Sequence, residues 1–230
     1  MKFKDFELMC DTLIEKNTLS QRTSILDFLQ NVKLLKVIKN IINNEDILIE
    51  ISKKSYIHNN GFAKIFLIDK RPHYALRLHI WPSLENLNPS IHDHPWDITV
   101  KIISGEYTWV NYSVEDIDDK NASLYKCNYR DNYNSHEIVF SKKITVLEKE
   151  SINYKQGDIF NYSKNIYHSI YKLNANYVDS LILCGITVEP TANIISFDDI
   201  SSLSGSNKYL SSDHLKTILI KFLERNSHAC

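Results

Sequence analysis

The most chemically suggestive spacing in the chain is Ile91-His92-Asp93-His94-Pro95-Trp96, where two imidazoles are separated by one residue. On an extended strand alternate side chains leave from the same face, so His92 and His94 would send both rings to one side and share one divalent ion. Imidazole suits zinc, copper, iron and nickel, so these residue types point to a transition metal without choosing it. Asp97 is a candidate fourth ligand, although alternation sets it on the face opposite His94, and either it or a water would complete the coordination sphere. Trp96, directly beside the pair, would wall a cavity and keep water out.

Such a pair needs a rigid sheet beneath it, and the pattern after Asp46 supplies one. Short β-branched and aromatic runs separated by Asn, Gly, Pro and Asp include Ala63–Ile68, Tyr74–Trp81, Ile98–Ile103, Tyr107–Tyr112, Glu137–Ser141, Ile144–Leu147, Ile159–Tyr162, Ser169–Leu173 and Ser180–Val188. This is the signature of a barrel or sandwich. Ile47–Ser52 reads as its first strand, and the polar segment from Glu115 to Ser135, with Asp116, Asp118, Asp119 and Lys120, reads as a long excursion between strands. Before the sheet, Phe6, Met9, Cys10, Leu13 and Ile14 predict a helix over 3–16. Thr18 with Gln21 forms a capping box opening a second helix whose stripe runs from Ile25 through Phe28, Val32, Leu35 and Ile38 to about Asn43. Ser212 and Asp213 cap a closing helix that buries Leu215, Ile218, Leu219, Phe222 and Leu223. The expected organisation is mainly β, with a helical extension over 1–45, a barrel over 46–195 and a C-terminal loop and helix over 196–230.

Composition narrows the partners. With 27 basic and 28 acidic residues the net charge is −1, so no global field draws in nucleic acid or an anionic membrane. The first eleven residues mix charges and hold no apolar signal-peptide core, and the apolar run Leu181–Val188 is far below the ~20 residues that span a bilayer. Four cysteines, at 10, 127, 184 and 230, lack both zinc-knuckle spacing and disulfide density, which implies reduced thiols and a cytoplasmic protein. The partners expected are a small molecule, with no nucleic acid and no membrane, and the chain itself is a monomer or a homodimer.

A second stretch sharpens the first. Gly157 to Lys172 together with His92 to Gly105 resembles the cupin family, whose first motif is G-x5-H-x-H-x3–4-E-x6-G and whose second is G-x5-P-x-G-x2-H-x3-N. The spacing from His94 to position 98 and on to Gly105 matches the first motif, and that from Gly157 through position 163 to His168 matches the second. Asn86 stands for the first glycine, Ile98 for the glutamate, Ser163 for the proline, Asn165 for the inner glycine and Lys172 for the terminal asparagine. The resemblance implies a double-stranded β-helix (jelly roll) and makes His168 the third metal ligand. With the glutamate lost, three neutral imidazoles would leave the metal charge uncompensated and positions open.

A three-histidine cupin with N-terminal helices resembles, over about residues 60–190, the cysteine dioxygenase family of thiol dioxygenases. The residues that carry this are Leu78-His79-Ile80-Trp81, Ile91-His92-Asp93-His94, Asn165-Ile166-Tyr167-His168 and Ser180-Leu181-Ile182-Leu183-Cys184. The resemblance implies mononuclear iron(II), with nickel, zinc or manganese as other divalent candidates, and dioxygen as co-substrate. Lys64 falls where the family's carboxylate-binding arginine stands. Ser180 keeps the serine of a late-strand serine, histidine and tyrosine set, while Ile182 and Cys184 replace the other two. Arg77 and His79 share the parity of Trp81 and are candidates for an anion-binding group and a pocket acid or base. Cys184 is a candidate pocket thiol. The other five histidines, at 58, 73, 136, 214 and 228, have no partner at ligand spacing and are assigned no chemistry. The expected activity is oxygenation of a small, carboxylate-bearing, amino-acid or thiol-like substrate. Its rivals are a cupin that binds a metal or ligand as a sensor or accessory protein without turnover, and a metal-independent sugar-nucleotide isomerase, which has no need of converging histidines.

Overall fold

The computed structural model describes residues 1–29, 31–82, 90–115, 117, 120–130, 133, 135–172, 177–198 and 204–227. Asn86, Asp116, Asp118, Asp119, His228 and Cys230 lie outside them. In chain order the elements are α1 (Phe3–Leu13), α2 (Leu19–Phe28), α3 (Asn31–Ile42), α4 (Glu45–Ser52), β1 (Tyr56–Ile57), β2 (Ala63–Lys70), β3 (Tyr74–Trp81), β4 (Ile91–His92) and β5 (Ile98–Ser104). They continue as β6 (Glu106–Glu115), β7 (Ala122–Arg130), β8 (Ser135–Lys155), β9 (Ile159–Tyr162), β10 (Tyr167–Lys172), β11 (Val178–Cys184), β12 (Thr191–Ser196), β13 (Ser204–Ser206) and α5 (Ser212–Asn226).

Two antiparallel sheets result. One has the order β1-β2-β3-β11-β5-β9, and the other β13-β8-β6-β10-β4-β12-β7. The long strand β8 pairs with β7 through its first half and with β6 through its second, so the larger sheet curls back on itself. The smaller sheet is covered on both faces. Ile65, Leu67, Leu76, Leu78, Ile80, Leu181 and Leu183 face a core shared with the helices, while the alternate positions Phe66, Ala75, Trp81, Ile98, Val100 and Ile182 face the other sheet. That double burial is why β3 and β11 read as unbroken apolar runs rather than alternating ones.

Several expectations need correction. The stripe predicted as one helix to Asn43 is divided between α2 and α3. Thr18 does cap α2 reciprocally with Gln21, but the chain leaves helical geometry at Leu29, and the stripe folds over the sheet in two segments with Leu26, Leu29, Leu34, Val37, Ile38 and Ile41 fully buried. Ile47–Ser52 is helix α4, not a strand. The Asn44 side chain accepts from the Ile47 amide at 3.3 Å, Glu45 and Asp46 occupy the first turn, and Leu48, Ile51 and Ser52 are buried at helical spacing. Four helices therefore precede the sheets where two were expected. The segment expected as a loop from 115 to 135 contains β7, whose Ala122, Leu124, Tyr125 and Cys127 are buried between β8 and β12. The closing helix starts one residue earlier than read, with Ser211 as the cap accepting from the His214 amide at 3.2 Å.

The last helix is tied to the sheet through one carboxylate. Asp179 on β11 is fully buried, and it accepts from Ser104 Oγ at 2.8 Å, Asn226 Nδ2 at 2.9 Å and Arg225 at 3.2 Å. Burial pushes its pKa up, while Arg225 pulls it back. Asp179→Ala would strand three donors, so it should lower unfolding stability by about 3 kcal/mol in urea denaturation, far more than a surface substitution such as Asp213→Ala.

Candidate metal centre

His92 and His168 face each other directly across the β4–β10 ladder. Opposite residues in an antiparallel pair put their side chains on the same face, so the two rings meet, with centroids 4.5 Å apart. His94 lies beyond the end of β4, which stops at His92. It is not held by the strand alternation expected for the pair. The turn before β10 holds it instead, since the Asn165 amide donates to the His94 carbonyl at 3.2 Å. The His94 ring sits 5.0 Å from each of the other two rings, and the ligand nitrogens of all three lie within 4.8 Å of one another.

The tautomers suit ligation. His92 Nδ1 donates to the Ser90 carbonyl at 2.9 Å and His168 Nδ1 donates to the Ile166 carbonyl at 3.0 Å, which leaves each Nε2 bare. His168 is further fixed by stacking on Trp109 at 3.9 Å. Burial lowers the pKa of all three rings, to about 4 for His92 and well below 6.5 for His94 and His168, so the imidazoles are neutral near pH 7. Neutral nitrogen donors at this spacing fit one divalent transition metal.

The motif positions have backbone reasons. Gly105 has φ of +74° and a Cβ there would lie 2.4 Å from the Tyr177 carbonyl oxygen. Asn165, in place of the inner glycine, has φ of +65°, a conformation asparagine tolerates better than most residues. Asp93, between the two histidines, points away from them and accepts from the Asn193 amide and Nδ2, both at 2.6 Å, clamping β4 to β12. Asp97 is no ligand. Its carboxylate is held by Arg22 at 3.3 Å and by the Lys164 amide at 2.9 Å.

The three histidines open on a cavity of about 80 Å³, room for several waters or a small molecule, by the ~10–15 Å³ that seats one water. Lys64, Arg77 and His79 line it, on one face of β2 and β3, where Lys64 pairs with His79 and Phe66 with Arg77. Burial and the neighbouring Arg77 charge push the Lys64 pKa well down. Arg77 lies 4.8 Å from the Phe66 ring and 4.7 Å from the Trp96 ring. Among the described residues, no Asp or Glu lines this cavity. Ser180 and Cys184 share the same sheet face but sit outside the lining, both 1% exposed, with the Ser180 hydroxyl unpartnered and the Cys184 thiol pushed up by burial. Ile182 between them does reach the cavity. His58, assigned no chemistry from the sequence, belongs to it as well. It stacks on Phe62 at 4.7 Å, and its Nδ1 accepts from the Asn60 amide at 3.2 Å. A lone histidine just after the two-residue strand β1 gives no spacing signal, and only the packing of that strand on β2 reveals it.

No family model matches the chain, and no curated protein does. Among solved structures, an rmlc-like cupin family protein with a double-stranded β-helix fold from Methanocaldococcus jannaschii is 16% identical, with a TM-score of 0.34, over 58% of this chain and 89% of its own. An uncharacterized conserved protein with a double-stranded β-helix domain from Klebsiella pneumoniae is 12% identical at a TM-score of 0.36, over 62% and 93%. The hydroxypropylphosphonic acid epoxidase from S. wedmorenis, in complex with fosfomycin, is 9% identical at 0.35, over 80% and 94%.

His92→Ala and His168→Ala should each abolish stoichiometric zinc or cobalt binding in equilibrium dialysis, whereas the exposed His73→Ala should keep it. The buried imidazoles also set an acid limit. They are neutral in the fold and protonate near 6.5 when unfolded, so the unfolded chain takes up more protons in mild acid. The Tm of metal-free protein should fall steadily as pH drops below about 6.5 toward 4; a flat profile over that window would contradict the neutral assignment.

Proposed function

We propose that the protein is a mononuclear non-haem iron(II) oxygenase acting on a small, carboxylate-bearing substrate, amino-acid or thiol-like, with dioxygen. The convergence of three imidazoles in one cavity that no carboxylate among the described residues lines carries this reading. His92, His94 and His168 would hold a divalent metal without neutralising its charge, and the metal would supply the redox chemistry between substrate and dioxygen. Iron is taken from the resemblance to the cysteine dioxygenase family, since imidazoles alone would equally hold nickel, zinc or manganese.

The chain's own groups have distinct tasks in this reading. The Ser90 and Ile166 carbonyls hold His92 and His168 with Nε2 turned inward. Lys64 and Arg77 neutralise the acidic group of the substrate. Trp81, Trp96 and Phe62 exclude bulk water, which strengthens both attractions. His79 is neutral, with an unpartnered Nε2 that can give or take a proton. The fold supports the same reading. The chain passes between the sheets at each step from β3 to β6 and again from β9 to β12, the alternation of a cupin double-stranded β-helix. We take residues 46–195 as that barrel, with helical additions at both ends and α4 carrying the first of them on to Ser52. The barrel serves a small molecule in the cytoplasm rather than nucleic acid or a membrane.

A second reading, a cupin that binds metal or ligand without turnover, is favoured by one observation. Ser180 and Cys184 lie behind the cavity wall and Ile182 lines it, so no late-strand acid or base reaches the site. Protein purified without oxygen, loaded with iron(II) and offered a broad panel of amino acids and thiols, should consume dioxygen only when a substrate is present. Tight iron binding with no substrate-dependent uptake across the panel would decide for the binding module.

A further inference from the structure

The cavity holds two cations that no described side chain answers. Among the described residues, three Lys or Arg side chains reach it: Lys64, Arg71 and Arg77. Arg71 is neutralised by Asp69 through two bonds of 2.7 Å each. Lys64 and Arg77 make no hydrogen bond or ion pair among the described residues, although Arg77 is only 4% exposed. Arg22, buried to the same 4%, shows what a satisfied guanidinium looks like in this protein. It donates to the Asn17 carbonyl at 2.7 Å, to Thr99 Oγ at 3.2 Å and to Asp97 at 3.3 Å. A guanidinium taken out of water without acceptors is strongly disfavoured, so the Arg77 site is complete only when something supplies them.

What is missing is an acceptor, and more than one. Arg77 Nε is buried without a partner, as are the indole nitrogens of Trp81 and Trp96, two more cavity-lining residues, and an indole nitrogen only donates. The two cations also occupy separate stations. The Lys64 ammonium lies 5.4 Å from the Tyr56 ring and 5.7 Å from the Phe62 ring, whereas the Arg77 guanidinium sits between Phe66 and Trp96. In the strand register Lys64 and Arg77 are diagonal neighbours, an offset of ~7–8 Å between backbones. Two carboxylates, one at each station, would answer both cations at once.

We infer that the cavity takes a small dicarboxylate, with one carboxylate at Arg77 and the other at Lys64. Two anionic groups on a short carbon chain match the two stations, and the aromatic rings between them cover the chain. The planar Arg77 fork favours a carboxylate held through two bonds. A dianion also offsets the repulsion between these two basic groups, which adds to burial in lowering the Lys64 pKa. The inference rests on the reading of this cavity as the substrate site, but not on the presence of metal.

The test is calorimetric titration of metal-free protein with malonate, succinate, glutarate, inorganic phosphate and acetate. One of the three dicarboxylates should bind saturably and at least about tenfold more tightly than acetate or phosphate. Lys64→Met and Arg77→Met should each remove that preference, and Arg77→Lys should keep the preference with weaker affinity, because it keeps the charge and loses the fork. Zinc binding by the same variants should remain, which shows that the cavity has folded. Equal binding of acetate, tighter binding of phosphate than of any dicarboxylate, or no saturable binding by a protein that still binds zinc would overturn the inference alone. Dicarboxylate binding by a protein that takes up no metal would overturn the metal reading and leave this one standing.

Discussion

The placement of His168 directly opposite His92 on neighbouring antiparallel strands is the contact on which the site depends. The pairing register decides it, because a slip of one residue along β10 would turn the His168 ring to the other face of the sheet. The register is held from several sides. Strand β10 pairs with β6 along its own whole length, from Tyr167 opposite Tyr112 to Lys172 opposite Tyr107. Strand β4 is only two residues long and is pinned by the Asp93 carboxylate on Asn193. The third ring is then brought in by a turn rather than by a strand, through the left-handed Asn165 and its bond to the His94 carbonyl.

Around that contact the protein sorts its polar groups by what satisfies them. Arg22, Asp97, Asp93 and Asp179 are buried or half-buried groups whose bonds are made within the chain, and each joins elements that are far apart in sequence. Arg77, Trp81, Trp96 and His79 are buried groups whose nitrogens are left over. These four line one cavity beside the three imidazoles, where burial keeps the histidines neutral, while Tyr107, Ser180, Thr187 and Arg225 hold unpartnered atoms elsewhere. Buried polar atoms normally find partners, so a cluster of donors without them marks where a ligand belongs.

The smaller sheet makes this sorting possible. Its outer face is sealed by the helices through Leu76, Leu78, Ile80, Leu181 and Leu183, which frees the inner face to carry Lys64, Arg77 and His79 without exposing them to bulk solvent. A sheet with one wet face would have screened those charges and weakened their hold on an anion.

Much of this architecture was legible from local pattern. Strands β3 and β9 begin and end at the residues read from the sequence, the Thr18 capping box opens α2, and the motif glycines at 105 and 157 both have positive φ. These are properties of a few neighbouring residues, and local chemistry is enough to specify them. Misreadings fell where a short apolar or polar run fits more than one structure. Ile47–Ser52 carries a pattern that suits strand and helix alike, and the Asn44 cap and burial against the sheet made it a helix. The 122–130 run looked like a loop because its strand character comes from its neighbours β8 and β12 rather than from its own residues. In the site, spacing alone paired His92 with His94, and the motif resemblance added His168. That His58 joins the cavity, that Ser180 and Cys184 stay behind its wall, and that Arg77 lacks an acceptor among the described residues are decided by packing between segments distant in sequence, which no local spacing encodes.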